Sequence, residues 1–106
     1  MGSLVSEINE LKSEIRAFAD ARDWAIFHTP KNLSMAVAGE AGELVSEFQW
    51  LTAEESKKEN LDAEKLNDIK MEIADVALYL FRLSDVLDVD LAEVMREKMK
   101  INEERF

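Results

Sequence analysis

The sequence predicts an all-α protein built as a bundle of four main helices. Apolar side chains recur at alternating steps of three and four residues along most of the chain, which is the spacing of a helix face. Strand signals are absent, because there is no run of alternating apolar and polar residues and no Asn-Gly or Asp-Gly hairpin turn. The 106 residues are expected to form one domain, residues 1–106, and a helical chain this short often completes its core with a second copy.

The first two helices are separated by a connection that contains much of the aromatic surface. Residues 4 to about 21 form the first amphipathic helix. Residues 22–32 break its pattern and contain the only proline, the only histidine and one of the two tryptophans. Thr29 is expected to cap the second helix with Pro30 at its first position, and that helix continues through residues 33–51. Two interpretations of the connection remain, a wall that stacks on a planar ligand and a loop tucked onto the core.

A polar stretch separates the second helix from the third. Thr52 and Glu55 have the spacing of a capping box, which opens a short helix or turn. The third helix is predicted from about residue 62 to 87. The fourth, from residue 91 to about 103, follows a cap at Asp90.

Carboxylates lie beside the apolar stripe on both the second and the third helix. On each helix they precede the apolar positions by one residue, an offset of about 100°. If the two apolar stripes pack together, four carboxylates would share a small volume: Glu40, Glu43, Glu72 and Asp75. Like charges so close raise one another's pKa unless a cation lies between them, and all-oxygen ligation suits Mg²⁺ or Mn²⁺ rather than zinc. The alternative is a solvated charged face.

Gly39 and Gly42 lie inside the second helix, beside its glutamates. Each costs about 1 kcal/mol relative to alanine in a helix interior. Glycine at these positions allows another backbone or a ligand to approach closely. Tight packing of a neighbouring helix and access for a ligand are both compatible with the pattern.

The remaining polar motifs are less specific. Lys98 and Asn102 are four residues apart and share a face of the last helix, which suits either a phosphate or base edge or an ordinary charged helix end. A di-iron carboxylate site needs Glu-x-x-His, but Ala25 stands three residues before His28. No nucleophile context supports a Ser-His-Asp site either.

Composition excludes several classes of partner. The net charge of −10 argues against a nucleic acid polymer and against an anionic membrane, and a phosphate substrate would need metal ions to neutralise the site. No apolar run approaches the roughly 20 residues of a membrane span. The absence of cysteine fits a reducing compartment, so a cytoplasmic location is expected.

Motifs from about residue 16 to the end of the chain occur in an order that is specific when they are taken together. In chain order they are Arg22–Trp24, Phe27–Leu33, Gly39–Leu44, Phe48–Trp50, Glu72–Val76, Tyr79, Lys98 and Asn102. With these motifs the chain resembles the MazG-like all-α nucleotide pyrophosphohydrolases, and most closely their small dCTP pyrophosphatase branch.

The resemblance implies a four-helix bundle of the MazG-like type, completed by oligomerisation to a dimer or tetramer with sites built partly from neighbouring subunits. It implies hydrolysis of nucleoside triphosphates between the α and β phosphates to the monophosphate and pyrophosphate, favouring dCTP or modified pyrimidine deoxynucleotides, as nucleotide-pool housecleaning. Mg²⁺ would be bound by Glu40, Glu43, Glu72 and Asp75. The base and sugar pocket would be lined by Trp24, His28, Asn32, Trp50 and Tyr79. Lys98 and Asn102 would lie near the phosphates.

One further acid lies on the same stripe. We expect Glu47 to orient the attacking water or to contact a second metal ion. The alternative to an enzyme is a helical oligomerisation module in which the acids are solvated or bind a structural metal.

Overall fold

The computed structural model describes residues 3–106, and side chains from residue 7 onward. Four main helices make up most of this range: α1 Ser3–Ala21, α2 Pro30–Ser46, α3 Ala63–Val86 and α4 Leu91–Arg105. Two single 3₁₀ turns, Ala25–Phe27 and Lys58–Asn60, lie in the connections. No residue in this range belongs to a strand, so the all-α prediction with four main helices is confirmed. Over the same range no helix is both long enough and apolar enough to cross a membrane.

Side-chain caps define where three of the helices begin, including the two predicted caps at Thr29 and Asp90. The side chains of Thr29, Asp62 and Asp90 each accept a hydrogen bond from the backbone N–H three residues further on, at 3.2, 2.7 and 3.0 Å. Thr52 and Glu55 form the predicted capping box, since each side chain accepts from the other's backbone N–H at 3.1 and 2.8 Å. These local bonds satisfy N–H groups that a helix start or turn leaves unpaired.

The second helix ends earlier than its apolar pattern predicts. α2 stops at Ser46, and the chain then continues in tighter turns, with Glu47 N–H bonding to Leu44 C=O at 3.2 Å and Phe48 N–H to Val45 C=O at 2.9 Å. The Ser46 hydroxyl also donates to a backbone carbonyl in the last turn, at 2.7 Å. Steps of three residues suit these tighter turns as well as a helix, so the apolar spacing alone misses the helix end.

α3 is the central helix of the bundle, packing mainly against α2 and to a lesser extent against α1. Each of these three helices contributes one buried apolar side chain, namely Ala19, Leu33 and Ile69, of which Leu33 is fully buried. The predicted apolar stripe of α3 is only partly covered, since Ile73, Leu80 and Leu87 are exposed.

α4 contains no buried residue. Its exposed apolar side chains are Val94, Met95, Met99 and Ile101. Within the described residues the chain therefore leaves much apolar surface uncovered, which suits the prediction of an oligomer without testing it.

Candidate active site

The acid stripes of α2 and α3 meet where these helices pack. Glu40 on α2 lies with Glu72 and Asp75 on α3, and one carboxylate oxygen from each falls within 4.8 Å of the others. All three residues are partly buried. Glu43 lies outside this group and is exposed, but its charge reaches Glu72. The structure therefore brings three of the four predicted metal ligands together, with the fourth close by.

Among these acids, Glu72 has a buried carboxylate oxygen that lacks a partner. Its Oε2 atom is inaccessible to solvent and has no hydrogen-bond partner. Burial raises the pKa of Glu72, and the negative charges of its neighbours raise it further, Asp75 first and then Glu43. A buried carboxylate oxygen without a donor is costly, and a bound cation would remove that cost. A group of carboxylates without histidine or cysteine fits Mg²⁺ or Mn²⁺.

A cavity of about 430 Å³ adjoins the acids, and Glu40 and Asp75 form part of its wall. Apolar residues of α1 and α3 line it, including Leu11, Ile15 and Leu78. Its volume lies within the range of small-molecule sites. The cavity thus combines an apolar body with an acidic edge, which suits a ligand that is flat and apolar at one end and charged at the other.

Aromatic rings from the α1–α2 connection form one side of this cavity. Trp24 packs edge-on against Phe18 with ring centroids 5.6 Å apart, and against His28 at 6.2 Å. Ile26 and Phe27 are exposed, at 76% and 61%. The connection is therefore not a loop tucked onto the core, and that interpretation is wrong for its central residues. A wall for a planar ligand fits the arrangement of Trp24 and His28.

His28 is held by a buried arginine. Arg82 Nε donates to His28 Nδ1 at 3.0 Å. Burial lowers the pKa of His28, and the positive charge of Arg82 lowers it further. The lowered pKa and the hydrogen bond that Nδ1 accepts from Arg82 both favour the neutral form of His28, which lines the cavity together with Tyr79.

Four of the predicted pocket residues do not line this cavity. Asn32 caps the connection through its Nδ2, which donates to the carbonyl of Phe27 at 3.0 Å. Trp50 is 87% exposed in the turns after α2. Lys98 and Asn102 lie on α4, where Lys98 is exposed and Asn102 is partly buried.

Glu47 lies close to the acidic group without joining it. Its Oε1 accepts from Lys65 Nζ at 3.0 Å, and both side chains are partly buried. The charge of Glu47 contributes to the raised pKa of Glu72. A carboxylate held by a lysine near the acids can orient a polar group.

The glycines beside the acids face open space. A Cβ added at Gly39 or at Gly42 would meet no atom within 4 Å among the described residues outside its own stretch of helix. Tight packing of a neighbouring helix of the same chain, one of the two expected reasons for these glycines, is therefore wrong. Access for a ligand or for a second copy stays a prediction.

Sequence reasoning did not assign seven residues of the cavity wall to the site: Leu11, Glu14, Ile15, Phe18, Ala19, Leu78 and Arg82. A signal for Arg82 was available, because it continues the polar stripe of Glu72, Asp75 and Tyr79 at the same steps of four and three residues. An arginine does not bind a metal ion, so the metal site predicted from these acids gave Arg82 no role.

Comparison with known proteins gives consistent relatives. The chain is 37% identical over 102 residues to dCTP pyrophosphatase 1 of Homo sapiens and 35% identical to that of Mus musculus. These matches span 96% of this chain and 58% of each relative, so the chain covers under two thirds of their length. The crystal structure of a pyrophosphatase from Archaeoglobus fulgidus superposes with a TM-score of 0.86 at 36% identity, covering 94% of this chain and 92% of that one. No protein-family model matches.

Proposed function

The chain belongs to the MazG-like family of all-α pyrophosphatases, and we propose that it hydrolyses nucleoside triphosphates between the α and β phosphates. The products are the nucleoside monophosphate and pyrophosphate. The names of the mammalian relatives support a preference for dCTP, and we extend this proposal to modified pyrimidine deoxynucleotides. The role that follows is removal of unwanted deoxynucleotides in the cytoplasm.

One observation supports this proposal most strongly: an unpaired, buried carboxylate oxygen on Glu72 lies in an acidic group at the edge of a ligand-sized cavity. Glu40, Glu72 and Asp75, with Glu43 beside them, would bind Mg²⁺, or Mn²⁺ in its place. When bound, the metal would neutralise the triphosphate and polarise the reacting phosphoryl group. That contribution matters because the net charge of −10 would otherwise repel the substrate.

The chain's own residues supply binding and orientation. Trp24 offers a ring for stacking on the base, and sequence-tolerant stacking explains how related nucleotides enter the same cavity. His28 and Tyr79 add hydrogen-bonding groups to the same wall. With the base in the apolar body of the cavity, the phosphates extend toward Glu40 and Asp75, where hydrolysis takes place.

Glu47 is proposed to orient the attacking water. Its ion pair with Lys65 holds the side chain in place beside the acids, and a carboxylate can accept a proton or a hydrogen bond from water. Glu47→Gln is expected to lower kcat with little change in KM. Full turnover with unchanged metal dependence would remove Glu47 from this role.

A second copy of the chain is proposed to complete the site, in a dimer or tetramer. Trp50, Lys98 and Asn102 do not line the cavity of their own chain. Trp50 and Lys98 are exposed, and α4 carries an exposed apolar face. These residues would therefore reach the nucleotide of a neighbouring subunit.

The test is a turnover assay on the four canonical deoxynucleotides and the four ribonucleotides, with Mg²⁺, with Mn²⁺ and with EDTA. The expected result is metal-dependent turnover with dCTP among the best substrates, abolished in Glu40→Gln and Asp75→Asn. The matched control is Glu59→Gln, an exposed acid in the α2–α3 connection that should change nothing.

Melting curves separate the enzyme from a non-enzymatic helical module. A non-hydrolysable nucleotide at about 100 times its Kd should add roughly 2.7 kcal/mol to the free energy of unfolding. A module with a structural metal would respond to Mg²⁺ alone and show no nucleotide effect.

A further inference from the structure

Arg82 is almost completely buried, with 6% of its surface exposed. Buried arginines normally pair with carboxylates. The shortest hydrogen bond that Arg82 makes, however, goes to a neutral ring, from Nε to Nδ1 of His28 at 3.0 Å. Its contact with Asp85 is longer, from Nη1 to Oδ2 at 3.5 Å. The guanidinium of Arg82 therefore bonds more closely to His28 than to Asp85.

Asp85 is otherwise occupied by a second arginine. Arg16 on α1 donates to it twice, at 2.8 and 2.6 Å, and Asp85 is only 12% exposed. The four side chains form one connected line from α1 through α3 to the α1–α2 connection: Arg16, Asp85, Arg82, His28. Arg16 stands at one end of the line, bound to Asp85 by the bidentate ion pair, and His28 stands at the other end in the cavity wall.

The bond from Arg82 decides which nitrogen of His28 bears the proton. A guanidinium has donors and no acceptor, so Nδ1 must be unprotonated to receive the bond. The proton of the neutral ring then resides on Nε2. His28 also lines the cavity, and its other ring nitrogen, Nε2, is then a donor.

We propose that Arg82, supported by Asp85 and Arg16, is a positioning residue that fixes His28 as an Nε2–H donor for the ligand in the cavity. A ligand atom that contacts His28 must then be an acceptor, either a carbonyl oxygen or an unprotonated ring nitrogen. This inference rests on the proposed function for the identity of the ligand as a nucleotide. The hydrogen-bond line itself stands without it.

Other ionisable groups line the same cavity as His28. Those that line the cavity on α1, α2 and α3 are Glu14, Glu40, Asp75, Tyr79 and Arg82. The acids favour protonation of His28, and Arg82 opposes it. Removal of Arg82 should therefore let the pKa of His28 rise.

The first experiment observes the imidazole directly. His28 is the only histidine, so in tag-free ¹⁵N-labelled protein every imidazole signal in a long-range ¹H–¹⁵N spectrum belongs to it. At pH 7.5 the wild type is expected to show a protonated Nε2 and an unprotonated Nδ1. Arg82→Met should shift the Nδ1 signal and raise the pKa of His28, whereas Lys70→Met, an exposed control on α3, should do neither.

The second experiment asks whether Arg82 acts through His28. Arg82→Met is expected to raise KM about tenfold with a smaller effect on kcat, as for one lost hydrogen bond. In a His28→Ala background the same change should raise KM no further. Additive effects would mean that Arg82 contacts the substrate itself, which would overturn the positioning role.

If Arg82→Met does not fold, Arg82→Gln replaces it in both experiments. The spectrum of the wild type tests the position of the proton without any variant. A wild-type spectrum with the proton on Nδ1 overturns the proposal. An Nδ1 signal and a His28 pKa that are unchanged in Arg82→Met overturn it as well. If the spectra are as expected and no nucleotide is turned over, the proposed function fails while the Arg82–His28 bond stands.

Discussion

Arg16 on α1 donates two hydrogen bonds to Asp85 on α3, from Nε to Oδ2 at 2.8 Å and from Nη2 to Oδ1 at 2.6 Å. Nearby, Lys12 Nζ donates to the carbonyl of Val89 at 2.8 Å, which binds α1 to the connection that follows α3. These bonds fasten α1 beside the cavity, whose wall includes residues of both helices. The polar contacts between α1 and α3 therefore support the site as well as the fold.

Asp85 should make the free energy of unfolding depend on pH in the acidic range. The hydrogen bond from Arg16 lowers the pKa of Asp85 below its usual value of 3.8, against an opposing effect of burial. A carboxyl whose pKa is lowered by folding adds stability above its unfolded pKa, and this is lost as the pH falls through the folded-state pKa. Asp85→Asn is expected to cost about 2 kcal/mol at pH 7.

Urea unfolding at pH 7 and at pH 3 tests this dependence. The difference between wild type and Asp85→Asn should shrink at the lower pH. Asp68→Asn, an exposed acid on the same helix, is the control and should cost far less. A difference of the same size at both pH values would contradict the assigned role of the charge.

Glu72 should have the opposite pH dependence. Burial, and then the charges around it, raise the pKa of Glu72 above 4.5, so its ionised form destabilises the metal-free fold. As the pH falls from the raised folded-state pKa toward 4.5, that destabilisation disappears. In a chelator at pH 7, Glu72→Gln should therefore melt above the wild type, and the gap should close on acidification.

Adding Mg²⁺ should reverse the order of these two proteins. The wild type should gain stability because the metal binds the folded state, and Glu72→Gln should gain little. Melting curves with and without EDTA provide the measurement. A variant that gains as much as the wild type would exclude Glu72 as a ligand.

Trp24 should contribute to binding more than to chemistry. Loss of one stacking ring costs about 1–3 kcal/mol per base, so Trp24→Ala is expected to raise KM at least about fivefold with a smaller change in kcat. Steady-state kinetics on the best nucleotide measure this. Ile26→Ala, in the same connection and outside the cavity wall, is the control. An unchanged KM in Trp24→Ala would show that this side of the cavity does not contact the base.

Trp50 tests whether a second copy completes the site. Trp50→Ala should raise KM although Trp50 lies outside the cavity of its own chain. Mixing the inactive Glu72→Gln chain with Trp50→Ala chains should restore wild-type KM to a fraction of the sites, because each chain supplies what the other lacks. No recovery after exchange of subunits would place Trp50 in its own chain's site or in none.

The features that the sequence predicted are those set by local spacing. Thr29 and Asp90 cap helices because a side-chain oxygen three residues before a free N–H suffices, whatever lies elsewhere. Glu40, Glu72 and Asp75 meet because each lies one residue before an apolar stripe, and packing those stripes brings them together. The predicted family is confirmed by the relatives.

The features that the sequence did not reveal depend on long-range contacts. The Arg82–His28 bond joins residues 54 positions apart, and no local pattern announces it. The end of α2 at Ser46 was missed because turns and helices share a three-residue step. The exposure of Ile73 on α3 was likewise unpredictable, since an apolar stripe does not reveal which chain covers it.

The most direct test of the account is ³¹P NMR of the products formed from dCTP by the purified protein with Mg²⁺. We expect dCMP and pyrophosphate in equal amounts from the first time point, with no product in Glu72→Gln. Orthophosphate with dCDP as the first products would contradict cleavage between the α and β phosphates, and with it the proposed function.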